Sequence, residues 1–427
     1  MIRAALLLFV VACNDTPAKS TPAAAPTAAP SPGAAKPARQ ALVIEPAAAK
    51  LSGELWFTEG ASPHRVMKLA GGKATEIGKG SAAVFGGLYP TQHRLKDGRV
   101  LAITSFGDGR PDGERLVLVT SNGSITTLGD PAMAVRDPTL SPDGSWIVSA
   151  VQTEGITNLV LLEIASGAQK ALTTHREGNF TPVAISKDAI AFVSSRDGDS
   201  EIYRMNVDGT NVQRLTAFHR EDYEPAIDAS GKQLAFTSDR EQKVPRIFVV
   251  VPDGTGVRRL TKNEDPSAEE SMVVWSPKHT AHFAYTLKRD GHAKVVAVNG
   301  AVEKVLTPPN TNDSEVAFSP DGNWLVLVRE RVPEKRGGAS HASESHASAS
   351  GASQSHASAS GASYADASHA SASGAAGESH AGASGAESGH AHDHAAVEAE
   401  LVAYPLPAGS AEPIVIARGA IRTPRWF

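Results

Sequence analysis

The stretch FTPVAISKDAIAFVSSRDGDSEIYRMNVDGTNVQRLT, residues 180–216, contains four short apolar runs separated by polar turns. Two of the turns contain Asp197-Gly198 and Asp208-Gly209. Asp-Gly favours tight hairpins because glycine accepts a positive φ angle at no steric cost. None of the runs shows the 3.6-residue period of an amphipathic helix. The stretch therefore predicts a sheet of four antiparallel strands.

The same unit recurs along the chain. Each copy closes on a leucine that is followed by threonine or glycine, at Leu128, Leu172, Leu215, Leu260 and Leu306. The separations of 44, 43, 45 and 46 residues match the roughly 40–45 residues of one propeller blade. The sequence therefore predicts an all-β fold, a β-propeller built from four-stranded blades.

The number of copies predicts seven blades, with six or eight as alternatives. The copies lie at about 54–79, 88–130, 137–174, 179–217, 222–262, 271–308 and 314–418. The first copy lacks an opening strand, and the C-terminal Arg422–Phe427 resembles that strand. We expect it to pair with Leu55–Thr58 and close the ring, because closure removes free sheet edges.

Several turns carry a resemblance to a known family. They are Ser141-Pro142-Asp143-Gly144, Ser319-Pro320-Asp321-Gly322, Ser195-Arg196-Asp197-Gly198 with Glu201-Ile202-Tyr203, and Ser238-Asp239-Arg240. These residues resemble the TolB-type β-propeller repeat, which also occurs in the propeller domains of prolyl oligopeptidase-like enzymes. The resemblance implies a periplasmic propeller that binds protein partners. TolB proper has an additional N-terminal α/β domain, whereas here we expect only a linker before the blades.

The N-terminus has the composition of an export signal. A charged start, Met1–Arg3, precedes an apolar run that ends in Val10-Val11-Ala12-Cys13. This end resembles the bacterial lipobox, and Cys13 is the single cysteine of the chain. We expect residues 1–12 to be a lipoprotein signal peptide and a lipid on Cys13 to anchor the protein to a membrane of the bacterial cell envelope, on the periplasmic or outer-surface side. The alternative is an ordinary cleaved signal with a chance cysteine.

Two segments have too few apolar residues to fold alone. Residues 13–40 are rich in Ala and Pro and predict a semi-stiff linker, so we expect the propeller to span 41–427. Residues from about 337 to 396 are mostly Gly, Ala, Ser and His, and they predict a disordered insertion in the last blade. Its densest histidines, His390, His392 and His394, are candidate weak ligands for Zn, Ni or Cu. The alternative is an expanded repeat that binds no metal, and we expect no other cofactor.

Charge and motifs narrow the range of functions. The net charge of −5 and the pI near 6.3 argue against a nucleic-acid-binding protein. The sequence has no Gly-x-Ser-x-Gly elbow of an α/β-hydrolase. We therefore expect a non-catalytic, lipid-anchored module for protein binding or scaffolding. One alternative is a hydrolase or lyase with its site in the axial channel, and another is a metal-binding lipoprotein that uses the histidine-rich insertion.

The connections between successive copies supply the candidate binding residues, because loops of this kind converge on one face of a propeller. These residues are polar and mostly acidic: His175, Glu177, His219, Glu221, Asp222, Asp265 and Asp313. We expect a protein or peptide partner to dock on this face. Charge reversal at Glu221 and Asp222 is expected to weaken capture without unfolding the domain.

Overall fold

The computed structural model describes residues 41–60, 64–78, 85–106, 114–130, 133–332, 399–406 and 412–427. Residues Gln40–Phe427 form one compact unit. In the described ranges every regular element is a β-strand, except for one short 3-10 helix at Pro46–Lys50. Cys13, the proposed signal peptide and linker, and the insertion with His390, His392 and His394 lie outside the described residues.

The strands of the described residues form seven antiparallel sheets, six with four strands and one with five, which are given below from the inside of the ring to the outside. Blade 1 consists of β29 (Ile421–Trp426), β2 (Leu55–Glu59), β3 (Arg65–Ala70) and β4 (Lys73–Ile77). Blade 2 consists of β5 (Phe85–Arg94), β6 (Val100–Phe106), β7 (Glu114–Val119) and β8 (Ile125–Thr127). Blade 3 consists of β9 (Ala134–Leu140), β10 (Trp146–Thr153), β11 (Ile156–Glu163) and β12 (Gln169–Ala171).

The remaining blades follow in the same order. Blade 4 consists of β13 (Asn179–Ala184), β14 (Ala189–Asp197), β15 (Asp199–Asn206) and β16 (Gln213–Arg214). Blade 5 consists of β17 (Asp222–Ile227), β18 (Leu234–Ser238), β19 (Arg246–Val250) and β20 (Arg258–Arg259). Blade 6 consists of β21 (Glu269–Trp275), β22 (His282–Arg289), β23 (His292–Asn299) and β24 (Val302–Val305). Blade 7 consists of β25 (Thr311–Phe318), β26 (Trp324–Arg331), β27 (Ala399–Pro405) and β28 (Ile414–Gly419), with β1 (Val43–Ile44) as a fifth strand.

The first strands of the blades form a closed inner ring, because each contacts the first strands of both neighbouring blades. The ring closes between the two ends of the chain. β29 pairs with β2, and the register places Leu55 opposite Trp426 and Trp56 opposite Arg425. The predictions of a seven-bladed, all-β propeller and of closure by the C-terminal strand are therefore confirmed.

The recurrent Leu-Thr pair has a structural cause. The threonine hydroxyl accepts a backbone N–H from the third strand of its own blade: Leu159 to Thr173 at 2.9 Å, Ile202 to Thr216 at 3.0 Å and Val295 to Thr307 at 2.8 Å. These threonines are buried, so the hydroxyl satisfies donors that water cannot reach. The preceding leucines pack into the interfaces between blades.

The N-terminal part of the propeller adds a feature that the repeat pattern did not predict. β1 pairs with β28 and covers the outer edge of blade 7, with Val43 opposite Arg418. Glu45 then forms an ion pair with Arg418 at 2.9 Å. Ala48, in the 3-10 helix, is 1% exposed and packs with the core of blades 7 and 1. This segment therefore contacts both blade 7 and blade 1, beside the junction where the ring closes.

Candidate functional site

One end of the propeller carries all the connections between blades. Adjacent strands of a blade run antiparallel, so the connection from the fourth strand to the next first strand lies at the same end as the connection from the second to the third. We call this end the connection face. The described chain leaves blade 7 at this face after Val332, which follows β26, and returns at Ala399, where β27 begins.

Five of the seven candidate binding residues are at least partly accessible on the connection face. His175, Glu177 and His219 are exposed. Glu221 is half-buried, and its carboxylate accepts the backbone N–H of Ser200 at 3.1 Å. Asp265 is 30% exposed and pairs with an arginine of blade 6 at 2.7 Å. The face is therefore polar and carries charges of both signs.

The expectation of an exposed position is wrong for Asp222 and Asp313. Both side chains are 0% exposed, because both belong to innermost strands rather than to loops. Asp222 pairs with Arg240 at 2.7 Å, and Asp313 pairs with Arg329 at 2.6 Å. Burial raises the pKa of Asp222 to about 6 despite this ion pair. Charge reversal at Asp222 would leave Arg240 beside a second cation, so we expect it to destabilise the domain.

In blade 5 the Ser-Asp-Arg turn, residues 238–240, supplies the arginine that pairs with the buried Asp222. Arg240, which follows β18, reaches back to Asp222 and lies over the rings of Phe236 and Phe248, at 5.1 and 4.8 Å from their centroids. A guanidinium on aromatic faces gains from the ring quadrupoles. In blade 4 the side-chain amide of Asn179 takes the place of the carboxylate, and Arg196 donates to its oxygen at 2.9 Å. These contacts hold the arginine side chains that lie beneath the connection face in fixed positions.

Sequence reasoning missed Phe218, which lies in the connection between blades 4 and 5. Its ring is 39% exposed, and the guanidinium of Arg240 lies 5.2 Å from its centroid. The backbone N–H of Phe218 donates to the buried carboxylate of Glu201 at 2.6 Å, which fixes the loop. The available signal was an aromatic residue beside His219 in an otherwise polar connection. An exposed ring with a fixed backbone is typical of residues that anchor a protein partner.

The inner ring of strands forms a second candidate site. In six blades one residue of the first strand is non-glycine and has a positive φ: Asp137, Thr181, Glu224, Met272, Glu315 and Thr423, with φ between 41° and 57°. In each of these strands the pairing register shifts beside that residue, as at a β-bulge. Positive φ in residues other than glycine is strained, and such strain is concentrated at functional sites.

Two carboxylates link these bulges from blade to blade. Glu224 accepts the N–H of Met272 at 3.0 Å, and Glu315 accepts the N–H of Thr423. Burial raises the pKa of the Glu315 carboxyl, and it also raises the pKa of Asp137. Two carboxyls with raised pKa values therefore lie on the inner ring of strands, and such shifts are a feature of binding and catalytic sites.

A large ligand pocket, a metal site and a membrane-spanning helix have less support among the described residues. The two best-defined cavities there have volumes of about 20 and 10 Å³, enough for about one water molecule. In the same residues no group of three His, Cys, Asp or Glu side chains is arranged to hold a metal ion. No helix in the described ranges is long and apolar enough to cross a membrane.

Comparison with known proteins identifies the repeat. Residues 94–274 match the family model of the TolB beta propeller domain. The chain carries a TolB-like propeller. The match runs from the end of the first strand of blade 2 to the first strand of blade 6, and it includes the Ser141–Gly144 and Ser238–Arg240 turns.

The curated proteins that match this chain include a TolB homolog and an uncharacterized peptidase. A protein TolB homolog of Chlorobium chlorochromatii (strain CaD3) is 29% identical over 144 residues, 33% of this chain and 31% of that protein. The uncharacterized peptidase YuxL of Bacillus subtilis (strain 168) is 27% identical over 213 residues, 46% of this chain and 29% of that protein. This chain therefore spans about a third of the length of the curated relatives it matches. The crystal structure of TolB from Acinetobacter baumannii matches 64% of this chain and 75% of its own, with a TM-score of 0.46 and 19% identity.

Proposed function

We propose that this protein is a non-catalytic, protein-binding propeller of the bacterial cell envelope, anchored by a lipid on Cys13. The TolB-like repeat supports a binding role, and the lipobox-like Val10–Cys13 supports the anchor. Residues 13–40 act as the tether between the lipid and the blades. The partner is a protein or peptide that docks on the connection face.

The observation that carries this proposal is the environment of Phe218. Its ring is exposed but supported from below by Arg240, while its backbone is fixed by Glu201. A side chain that is already ordered loses little conformational entropy on binding, which favours association. His219 and Glu221 follow Phe218 in the same connection and supply accessible polar groups, as in the rim of a typical interface.

Substitution Phe218→Ala is expected to weaken partner capture by about 10- to 100-fold, the range of an aromatic anchor residue. The measurement is the amount of envelope protein retained by the purified propeller from detergent extracts at a series of bait concentrations. Val302→Ala is the matched control, because Val302 is 65% exposed on the outermost strand of blade 6, away from this face. Equal capture by the Phe218 variant and the wild type would contradict the proposal.

Substitution Cys13→Ser is expected to release the protein from membranes. A hydroxyl cannot form the thioether, and no other cysteine is present to replace the thiol. The measurement is the partition of the protein between membrane and soluble fractions, with mass spectrometry of the N-terminal peptide. Ala12→Gly, which keeps a small residue before the cysteine, is the control and should remain in the membrane. Retention of the serine variant at the wild-type level would exclude the lipid anchor.

A further inference from the structure

Arg425 has an unusual position for a charged residue. It lies in β29, the innermost strand of blade 1. The equivalent register positions of blades 4 to 7 hold small or apolar residues: Val183, Ala226, Val274 and Ala317. β29 contacts β25 of blade 7, which carries Glu315, and β5 of blade 2, which carries His93. Arg425 therefore lies on the inner ring, in the strand between these two blades.

The Arg425 guanidinium has few partners among the residues that the structure describes. Its hydrogen bond is to the carbonyl of the adjacent Pro424, at 2.8 Å. Among the described residues no carboxylate lies within 4.0 Å of its nitrogens, the limit for an ion pair. The Glu315 carboxylate of blade 7 opposes the lowering of the Arg425 pKa, but the Thr423 amide already binds one oxygen of that carboxylate. Most of the five N–H donors of the guanidinium are therefore free.

A partly buried cation without an ion pair costs folding free energy, so its presence calls for a compensating role. Burial lowers the pKa of Arg425 but leaves an arginine charged at neutral pH. The neighbouring His93 adds no second charge, because burial lowers its pKa to about 4. Arg425 remains partly accessible to water, so a ligand can reach its donors.

We propose that Arg425 binds a carboxylate group at the inner ring of the propeller, where blades 1 and 2 meet. The planar fork of a guanidinium pairs with the two oxygens of a carboxylate through parallel hydrogen bonds. The carboxylate belongs either to a small free acid or to an acidic side chain or C-terminus of a peptide. This site is separate from the connection face, and it stands whether or not a partner docks there.

The test compares binding by the wild type and by two variants at constant ionic strength. The probes are acetate, glutarate, and a blocked peptide with two glutamates, with its glutamine counterpart as the uncharged control. Titration calorimetry and the shift in melting temperature report binding. We expect carboxylate probes to bind the wild type, Arg425→Gln to lose about ten-fold or more in affinity, and Arg425→Lys to retain a part of it. Arg331→Gln is the matched control, because Arg331 is 82% exposed, and it should bind like the wild type.

A second readout separates binding from a structural role. Without ligand, Arg425→Gln should melt at the same temperature as the wild type or higher, since it removes an unpaired charge from the interior. Binding of acetate and glutarate alone identifies a free acid as the ligand, and binding of the peptide alone identifies a protein segment. No carboxylate binding by the wild type, equal binding by Arg425→Gln, or a lower melting temperature of that variant would each overturn the proposal.

Discussion

Truncation after Gly419 is expected to abolish the cooperative melting of the propeller. The deletion removes β29, whose Ile421 and Trp426 are 0% and 7% exposed and pack in the core of blades 7 and 1. Loss of each large buried side chain costs about 2–5 kcal/mol. Loss of the strand also exposes the edge of β2, which pairs with β29 in the intact ring. The summed loss of folding free energy approaches the whole stability of an ordinary domain, about 5–15 kcal/mol.

Scanning calorimetry measures this effect directly. The control is deletion of residues 340–393, which lie outside the paired strands of blade 7 and should leave the melting temperature within a few degrees of the wild type. The truncated chain should show no transition, or one that is lowered by on the order of 10 °C or more. A truncated chain that melts like the wild type would mean that the ring does not depend on β29.

Substitution Asp313→Ala is expected to cost about 3–5 kcal/mol of stability, because it leaves a buried arginine without its carboxylate. Asp313 accepts two hydrogen bonds from Arg329, at 2.8 and 2.6 Å. Arg329 also donates to the hydroxyl of Tyr404, which in turn donates to the carbonyl of Leu306 at 2.7 Å. The network joins blade 7 to the end of blade 6, so its loss should loosen the interface between the two blades.

Denaturant unfolding of two variants tests this prediction. Asp188 also forms an ion pair, with Lys187 at 2.7 Å, but its side chain is 71% exposed. Asp188→Ala is therefore expected to change stability by about 0.5 kcal/mol or less, as for other surface ion pairs. The account is contradicted if Asp313→Ala loses no more stability than Asp188→Ala.

The sequence was sufficient for the fold because a propeller repeats its local chemistry. Asp-Gly turns and Leu-Thr pairs recur at a blade-length period, and each pair has a fixed hydrogen-bonding role in the third strand. β1 and the 3-10 helix could not be predicted from this period, because they occur once. Their few residues, Val43 to Lys50, resemble a continuation of the alanine-rich segment before them.

The candidate sites were harder to predict, since each depends on partners distant in sequence. Asp222 follows Glu221 directly, yet one carboxylate is half-buried at the surface and the other is buried against Arg240. The difference arises because Asp222 is the first residue of β17 whereas Glu221 still belongs to the connection, and the sequence does not reveal where the strand begins. The strands that carry Arg425 and His93, β29 and β5, are neighbours only because the last strand of the chain enters the first blade.

The most direct test of the proposed function is photo-crosslinking in intact envelopes. A photoreactive amino acid would replace Phe218 on the connection face and, in a second variant, Lys187, whose side chain is 67% exposed in a turn at the opposite end of the ring. We predict a discrete crosslinked protein from position 218 and none from position 187. Crosslinks from position 187 alone, or none from position 218 in a folded and membrane-bound protein, would contradict a binding role for the connection face.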